Sequence, residues 1–116
     1  MKIRAYIGEA TEYDKKETLE ERRPKSWLKS VSAFANGNGG VLLFGVADDD
    51  ALKGLPDVKT ASEKISEAVK SKMDPIPSIE LQIRQEEGKD FILLHVAPGA
   101  ETPYYYIGDG GRIAYI

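Results

Sequence analysis

The chain has 116 residues, a formal net charge of −3 and no cysteine. A chain of this size buries about two thirds of its unfolded surface around one core, so residues 1–116 are predicted to form a single domain. The lack of cysteine excludes disulfides and thiolate metal sites, and it is typical of a reducing compartment. The negative balance argues against a basic coat over the whole surface but leaves room for a local basic patch.

No stretch of the sequence resembles a targeting segment or a membrane span. The first twelve residues lack the apolar centre of a signal peptide. The longest apolar run, residues 41–47, is interrupted by Gly45 and is far too short to cross a bilayer. We therefore expect a cytoplasmic protein without a membrane partner.

The N-terminal third is predicted to contain a strand and then a helix. Residues 2–7 alternate between polar and apolar side chains, which is typical of a short half-buried strand. Pro24 suits the first turn of a helix, and Asn36 and Gly37 are predicted to end that helix with a left-handed cap. Between them an apolar stripe recurs at three- and four-residue spacing, formed by Trp27, Leu28, Val31, Phe34 and Ala35.

The middle of the chain is predicted to contain a buried strand and a second helix. Residues 41–46 form a nearly continuous apolar run, which predicts a central strand covered on both faces. A helix is predicted over residues 60–73, with Thr60 and Glu63 as a capping box. The prolines that follow at positions 75 and 77 end it.

The C-terminal part predicts a series of strands. Residues 79–84 and 91–96 are expected to form a hairpin, and residues 103–107 and 112–116 two further short strands. The sequence stops within the last of these strands, so we expect an N-terminal fragment followed by further domains of the same chain. The elements together predict an α+β fold, with a mixed, mostly antiparallel sheet of about five to six strands and two principal helices.

The glycine-rich stretch GNGG, residues 37–40, invites comparison with phosphate-binding loops. Here the glycines follow a helix and precede a strand. P-loops and dinucleotide fingerprints have the opposite order, with the glycines after a strand and before a helix. We therefore favour a helix cap with a tight turn over a nucleotide cradle.

Acidic residues follow two of the predicted strands. They are Glu9, Glu12 and Asp14 after the first strand, and Asp48, Asp49 and Asp50 after the central strand. A solvated turn is the ordinary explanation of such a charge run. If the two strands are neighbours, the carboxylates instead converge, and a hard divalent cation such as Mg²⁺ would relieve their repulsion. Such a metal can activate water to attack a phosphodiester.

The densest basic stretch of the chain spans residues 15–29. Its candidate phosphate contacts are Lys16, Arg22, Arg23, Lys25 and Lys29. A patch of this kind predicts contacts with the backbone of DNA or RNA, with salt-sensitive affinity and little sequence readout. The alternative is a solvated surface with ion pairs along the helix.

Two blocks of the sequence resemble a known family. They are EATEYDKK at residues 9–16, and AFANGNGG at residues 33–40 continued by GVAD at residues 45–48. In these blocks the chain is similar to the Schlafen AlbA-like domain family, also known as a divergent AAA-type ATP-binding domain or as a DNA-binding domain. The resemblance extends over most of the chain. Lys15 stands where the family usually has phenylalanine, and Asp14 where glutamate is commoner.

The resemblance implies a nucleic-acid-binding module, for DNA first, within a helicase-related protein or a transcriptional regulator. In animal Schlafen proteins three acidic residues of these blocks act in metal-dependent RNA cleavage. The matching positions are Glu9, Asp14 and Asp48, which implies a Mg²⁺- or Mn²⁺-dependent nuclease as a second function, with Asp49 and Asp50 as turn residues. ATP binding is implied by the family label alone and is the weakest of the three, because the chain has no P-loop.

Two further features are weighed against structural roles. His95 is the only histidine and lies in an apolar segment, so a structural role is favoured over catalysis. Tyr104, Tyr105 and Tyr106 either stack on unpaired bases or pack one face of a strand. The sequence leaves both explanations of the tyrosines open.

Overall fold

The computed structural model describes residues 2–9 and 12–116, with the main chain alone for residues 7–9. In chain order its elements are α1 (Ile3–Glu9), β1 (Tyr13–Lys16), α2 (Lys25–Asn36), β2 (Gly40–Phe44), α3 (Val58–Lys72), β3 (Met73–Asp74), β4 (Ile79–Glu86), β5 (Lys89–Val96), β6 (Tyr105–Tyr106) and β7 (Ile113–Ala114). The two long helices, α2 and α3, are the two that the sequence predicts.

The strands form two sheets. The larger sheet has the order β1-β2-β5-β4, and the smaller has the order β3-β6-β7. Among the described strand pairs, β1 and β2 run parallel and the others run antiparallel. The predicted α+β class with mixed, mostly antiparallel pairing is therefore confirmed, with the strands divided between two sheets.

Strand β2 is central in the larger sheet and is covered on both faces, as its apolar run predicts. Leu42 and Phe44 face α2 and α3 and pack in one apolar cluster. Val41 and Leu43 face the other way and pack with Ile3 of α1. All of these side chains are buried. The two clusters fix the ends of β1, β2 and α2 relative to one another, and those ends carry the candidate site residues.

The predicted strand over residues 2–7 is wrong, because this segment forms the helix α1. Ile3 and Tyr6, three positions apart, share the helix face that packs on β2 and β5. The main-chain N–H of Ile3 donates to Glu86 Oε2 at 3.0 Å. Three alternating apolar positions are too few to separate a strand period from a helix period. The strand beside β2 is β1 instead.

Helix α2 buries the predicted stripe, formed by Trp27, Leu28, Val31, Phe34 and Ala35. It begins directly after Pro24, as that residue suggests. The predicted left-handed cap at Asn36 and Gly37 is wrong, since Asn36 is the last helical residue and Gly37 has φ −111°. The left-handed position is Gly39, with φ 82°, and its N–H donates to the Phe34 carbonyl at 2.9 Å.

Helix α3 begins at Val58 rather than at residue 60, because Asp57 is its N-cap. Asp57 Oδ1 accepts from the Thr60 N–H at 3.1 Å, and Oδ2 accepts from the Thr60 hydroxyl at 2.8 Å. The predicted capping box of Thr60 and Glu63 is therefore wrong, because Thr60 lies inside the first turn and donates to Asp57. These hydrogen bonds, the one from the hydroxyl above all, lower the pKa of the Asp57 carboxyl.

The predicted hairpin over β4 and β5 is confirmed, with Glu86 paired to Lys89. Its two turn residues, Glu87 and Gly88, have φ 53° and 72°. β6 and β7 also pair antiparallel, as predicted for the tyrosine-rich end of the chain. In the part of the chain that the structure describes, no helix combines the length and the apolar character needed to span a membrane.

Candidate nucleic-acid interface

Four of the five predicted basic contacts line one surface groove. The groove encloses about 540 Å³ between the start of α2 and the β6–β7 hairpin. Its lining residues are Arg22, Arg23, Pro24, Lys25, Ser26, Lys29, Tyr106, Asp109 and Tyr115. Four basic side chains therefore share this surface with a single carboxylate. We call it the basic groove.

The turn before α2 places these basic side chains. The Ser26 N–H donates to the Arg23 carbonyl at 2.9 Å, and the Leu28 N–H donates to the Pro24 carbonyl at 2.8 Å. Arg22 and Arg23 therefore lie immediately before the N-cap residue Pro24, and Lys25 is the first residue of the helix. No side chain caps its first turn. The positive end of the helix dipole thus adds to the basic side chains around it.

Most cations of the basic groove are exposed and lack a carboxylate neighbour. Arg22, Arg23 and Lys29 are exposed, and no described carboxylate lies within ion-pair distance of them. Lys25 is paired, with 3.7 Å between its Nζ and Asp109 Oδ2. An anion that binds these three cations therefore displaces no carboxylate of the described residues.

The fifth predicted contact, Lys16, lies outside the basic groove on β1. Its Nζ is 3.3 Å from Asp14 Oδ2, and its side chain is 25% exposed. An anion that approached Lys16 would have to compete with this carboxylate. The structure therefore separates Lys16 from the other four basic residues.

Asp14, a member of the predicted acidic site, lies inside β1 rather than after a strand. Its partner in the parallel pairing with β2 is Leu42, and the two strands end side by side where Lys16 pairs with Phe44. Asp14 therefore lies two positions before that end, whereas Asp48 follows Phe44 by four positions. Asp14 Oδ2 accepts from the Ser30 hydroxyl at 2.6 Å. The Asp14 carboxylate is thereby held against α2.

The three aspartates that follow β2, at positions 48–50, lie in a turn that Lys15 stabilises by two hydrogen bonds. Lys15 points to the sheet face opposite its two strand neighbours, and its Nζ donates to the Asp48 carbonyl at 2.8 Å and to Asp50 Oδ1 at 2.6 Å. The bond to Asp50 raises the pKa of Lys15. Asp49 Oδ1 accepts from a main-chain N–H at 3.1 Å, and Asp50 has φ 69°. Asp49 and Asp50 are thus turn residues, as expected.

The remaining members of the predicted acidic site are Asp48 and Glu9. Asp48 is exposed. The side chain of Glu9 lies outside the described residues. Within residues 2–6 and 12–116, no group of three or more histidine, aspartate or glutamate side chains is arranged to hold a metal ion. A site formed by Glu9, Asp14 and Asp48 together therefore stays a prediction.

Asn36 and Ser32 join α2 to the tyrosine-rich hairpin, a role that sequence reasoning missed. Asn36 Oδ1 accepts from the Tyr104 N–H at 2.6 Å, and Nδ2 donates to the carbonyls of Tyr104 at 3.0 Å and Tyr115 at 2.9 Å. The buried Ser32 hydroxyl donates to the Tyr104 carbonyl at 2.8 Å and accepts from the Tyr115 N–H at 3.0 Å. These bonds fix one wall of the basic groove. The AFAN block, which contains Asn36, was the one sequence feature that pointed to this residue.

Two of the three adjacent tyrosines, Tyr104 and Tyr106, pack in the core. Tyr104 and Tyr106 are only 4% and 2% exposed, so their rings are not free to stack on bases. Burial, followed by a hydrogen bond to Asp109, raises the pKa of Tyr106. Tyr105 is half-buried, and the Arg112 guanidinium lies 4.7 Å from its ring centroid. The packing explanation therefore holds for Tyr104 and Tyr106.

Two further sequence features have structural roles. A Cβ atom at Gly39 would lie 2.8 Å from a main-chain oxygen, and one at Gly40 would lie 2.7 Å from the Phe34 ring. Gly39 and Gly40 thus permit a tight turn and a close approach, as the turn predicted for this stretch requires. His95 Nε2 lies 3.1 Å from Gln82 Oε1 on the neighbouring strand, which supports the structural role favoured for it.

The two sequence blocks and the basic groove lie within the residues that match a single protein family. Residues 9–115 match the family described as Schlafen, AlbA_2. The chain belongs to the Schlafen AlbA_2 family. The match includes β1 with Asp14, the whole of α2 and the hairpin that forms the second wall of the basic groove. A comparison with curated proteins gave no significant match.

Two solved structures share the fold of this Schlafen AlbA_2 domain. One is the N-terminal domain of an ATP-dependent DNA helicase RecG-related protein from Nitrosomonas europaea, with a TM-score of 0.66, 24% identity, and coverage of 97% of this chain and 84% of that one. The other is the DIP2311 protein from Corynebacterium diphtheriae, with a TM-score of 0.62, 20% identity, and coverage of 84% of this chain and 19% of that one. At these identities the likeness is one of fold.

Proposed function

We propose that this Schlafen AlbA_2 domain binds nucleic acid through the basic groove. The observation that carries the proposal is the gathering of Arg22, Arg23, Lys25 and Lys29 in one groove with a single carboxylate. Phosphates repeat along a nucleic-acid strand, so several cations in one groove gain affinity together by releasing condensed counterions. Such contacts position a strand and carry little sequence information.

The surroundings of the basic groove also favour a nucleic-acid backbone in the groove itself. The N–H groups of the first turn of α2 favour an anion at this end of the helix. On the other side of Pro24 lies a hollow of about 600 Å³. Its charged lining residues are Glu20, Glu21, Glu63, Glu67, Lys64 and Lys72. The hollow has more carboxylates than cations and therefore repels phosphates, so the nucleic-acid backbone is confined to the basic groove.

DNA is the first candidate ligand, and RNA is the second. The Nitrosomonas europaea neighbour carries DNA helicase in its name, which supports DNA and a setting within a larger helicase-related protein. A transcriptional regulator is the alternative setting. The composition supports a location in the cytoplasm.

Binding measured at several salt concentrations tests this proposal. Labelled duplex DNA, single-stranded DNA and RNA are titrated with the domain. We expect the logarithm of the affinity to fall linearly with the logarithm of the salt concentration, by about 0.9 for each phosphate contact with duplex DNA. The proposal fails if none of the three nucleic acids binds, or if the affinity is indifferent to salt.

A metal-dependent nuclease is the second candidate function, with Glu9, Asp14 and Asp48 as ligands of Mg²⁺ or Mn²⁺. The observation in its favour is the parallel pairing of β1 with β2, because it sets Asp14 on the strand next to the one that leads to Asp48. A bound cation would replace Lys16 as the positive partner of the Asp14 carboxylate. The metal would supply an activated water for attack on a phosphodiester.

Cleavage assays with and without divalent metal separate the nuclease from simple binding. Labelled RNA and DNA are incubated with wild type, Asp48→Ala and Asp49→Ala. Cleavage that requires metal, disappears in Asp48→Ala and persists in Asp49→Ala supports the second candidate, because Asp49 serves only the turn. Cleavage that survives Asp48→Ala contradicts it.

ATP binding is the third and weakest candidate. Its support is the family label. Gly39 and Gly40, the residues that would form a nucleotide cradle, are already required by the turn and by the Phe34 ring. Calorimetric titration with ATP and Mg²⁺ tests this candidate, and the absence of binding heat would remove it.

A further inference from the structure

The basic groove contains one acidic side chain, Asp109, in the turn between β6 and β7. Its Oδ2 lies 3.7 Å from Lys25 Nζ, and its Oδ1 accepts from the Tyr106 hydroxyl at 3.2 Å. Tyr106 is buried and therefore gives Asp109 a fixed point of attachment. Asp109 thus holds the one groove cation that has a carboxylate partner in the described structure.

The turn that carries Asp109 is exposed and faces open space at Gly110 and Gly111. The Gly110 N–H donates to the Ile107 carbonyl at 3.3 Å, and Gly110 has φ 87°. A Cβ atom added at Gly110 or Gly111 would meet no other atom within 4 Å. Because the Asp109 side chain is itself exposed, it can turn away from Lys25 into solvent while the packed core stays unchanged.

The contact between Asp109 and Lys25 is weak enough to exchange. Their side chains are 59% and 43% exposed, and exposed ion pairs contribute little stability. A phosphate of a nucleic-acid strand, supported by the neighbouring arginines, can take the place of the carboxylate on Lys25. The displaced carboxylate stays within a Debye length of the bound phosphates and repels them. Both effects reduce affinity without closing the groove.

We propose that Asp109 is an internal competitor of the nucleic-acid backbone. In the free domain it neutralises Lys25, and a bound strand displaces it. Asp109 thereby sets the affinity of the basic groove below the value that its four cations would give. This inference rests on the proposed nucleic-acid binding and adds to it the residue that limits that binding.

The variant Asp109→Asn tests the inference. It removes the charge and keeps a side-chain oxygen for the Tyr106 hydroxyl. We expect Asp109→Asn to bind the same oligonucleotide about three- to fivefold more tightly than wild type at low salt, the range of an exposed charge interaction. The salt dependence should steepen by up to about 0.9, because Lys25 becomes fully available to a phosphate.

Glu87→Gln is the matched control. It also removes one negative charge from an exposed ion pair in a hairpin turn, where Glu87 lies 3.4 Å from Arg4, but it lies outside the basic groove. We expect Glu87→Gln to bind like wild type. If wild type binds and Asp109→Asn is no tighter than Glu87→Gln, the inference is overturned while the proposed function stands. If neither wild type nor Asp109→Asn binds, both are overturned.

A double-mutant cycle with Lys25→Gln tests the mechanism of the competition. If Asp109 acts by occupying Lys25, the gain from Asp109→Asn should shrink when Lys25 is already glutamine. An equal gain in both backgrounds would mean that Asp109 acts only as a distant charge, and the competitor mechanism would be wrong.

Discussion

Asn36 holds the main chain of Tyr104 at both of its polar groups, accepting from the N–H at 2.6 Å and donating to the carbonyl at 3.0 Å. Tyr104 is 4% exposed, so these main-chain groups have little access to water as a substitute partner. A further bond from Asn36 reaches the Tyr115 carbonyl at 2.9 Å. One side chain at the end of α2 therefore positions the hairpin wall of the basic groove.

Replacing Asn36 should be strongly destabilising. Asn36→Ala removes three hydrogen bonds, from the Tyr104 N–H and to the Tyr104 and Tyr115 carbonyls, and leaves the Tyr104 carbonyl with Ser32 alone. We expect a loss of about 2–4 kcal/mol in the free energy of unfolding. Urea denaturation measures this loss. Asn38→Ala is the control, because Asn38 is an exposed asparagine two positions away, and it should change stability by less than about 0.5 kcal/mol. Equal effects of the two substitutions would contradict the role of Asn36.

The glycine turn gives a second prediction. Gly39→Ala forces a Cβ atom to 2.8 Å from a main-chain oxygen at a residue with φ 82°. We expect a loss of about 2–3 kcal/mol in the free energy of unfolding, from strain and overlap together. Gly111→Ala, where an added Cβ meets nothing, should alter stability by at most about 1 kcal/mol. Thermal melts of the two variants and wild type provide the comparison. A Gly39→Ala variant as stable as wild type would refute the packing role of Gly39.

The N-cap of α3 predicts a pH dependence of stability. The folded-state pKa of Asp57 is lowered from 3.8, so its ionised form adds stability above that pH. This contribution is lost as the pH falls through the lowered folded pKa. Wild type should therefore lose more stability between pH 6 and pH 3 than Asp57→Asn, which does not titrate. The urea denaturation midpoints of both proteins are measured across this range. An equal fall of the two midpoints with pH would contradict the prediction.

The apolar patterns of the sequence were sufficient to predict much of the fold. The run over residues 41–46 predicts a strand buried on both faces, and the stripe of α2 predicts the face that packs against it, because burial of apolar area dominates both elements. The hairpin of β4 and β5 follows from alternation around a turn with glycine at position 88. The strand predicted for residues 2–7 was wrong, because Ile3 and Tyr6 pack on the sheet from a helix, in a tertiary contact that no local pattern reveals.

The candidate site was predictable as a set of residues but not as a surface. Arg22, Arg23, Lys25 and Lys29 are close in sequence, so their clustering could be anticipated. The groove also needs Asp109 and the tyrosine hairpin, which are distant from α2 in sequence and meet it through tertiary contacts, including the hydrogen bonds of Asn36 and Ser32. Lys16 is separate from the groove because it lies on β1, where it pairs with Asp14, and its closeness in sequence to the other basic residues does not reveal this.

The most direct test of the account compares two triple variants in the same binding titration. The groove variant is Arg22→Gln, Arg23→Gln and Lys29→Gln. The control variant is Lys53→Gln, Lys59→Gln and Lys70→Gln, which removes the same charge from exposed positions outside the basic groove.

Fluorescence anisotropy with a labelled oligonucleotide at several salt concentrations supplies the measurement. The groove variant should lose at least about tenfold in affinity at low salt, and its salt slope should fall by about 2–3, since three phosphate contacts are removed. The control variant should keep the wild-type slope. Equal losses in the two variants would show that net charge rather than the basic groove governs binding, and would contradict the account.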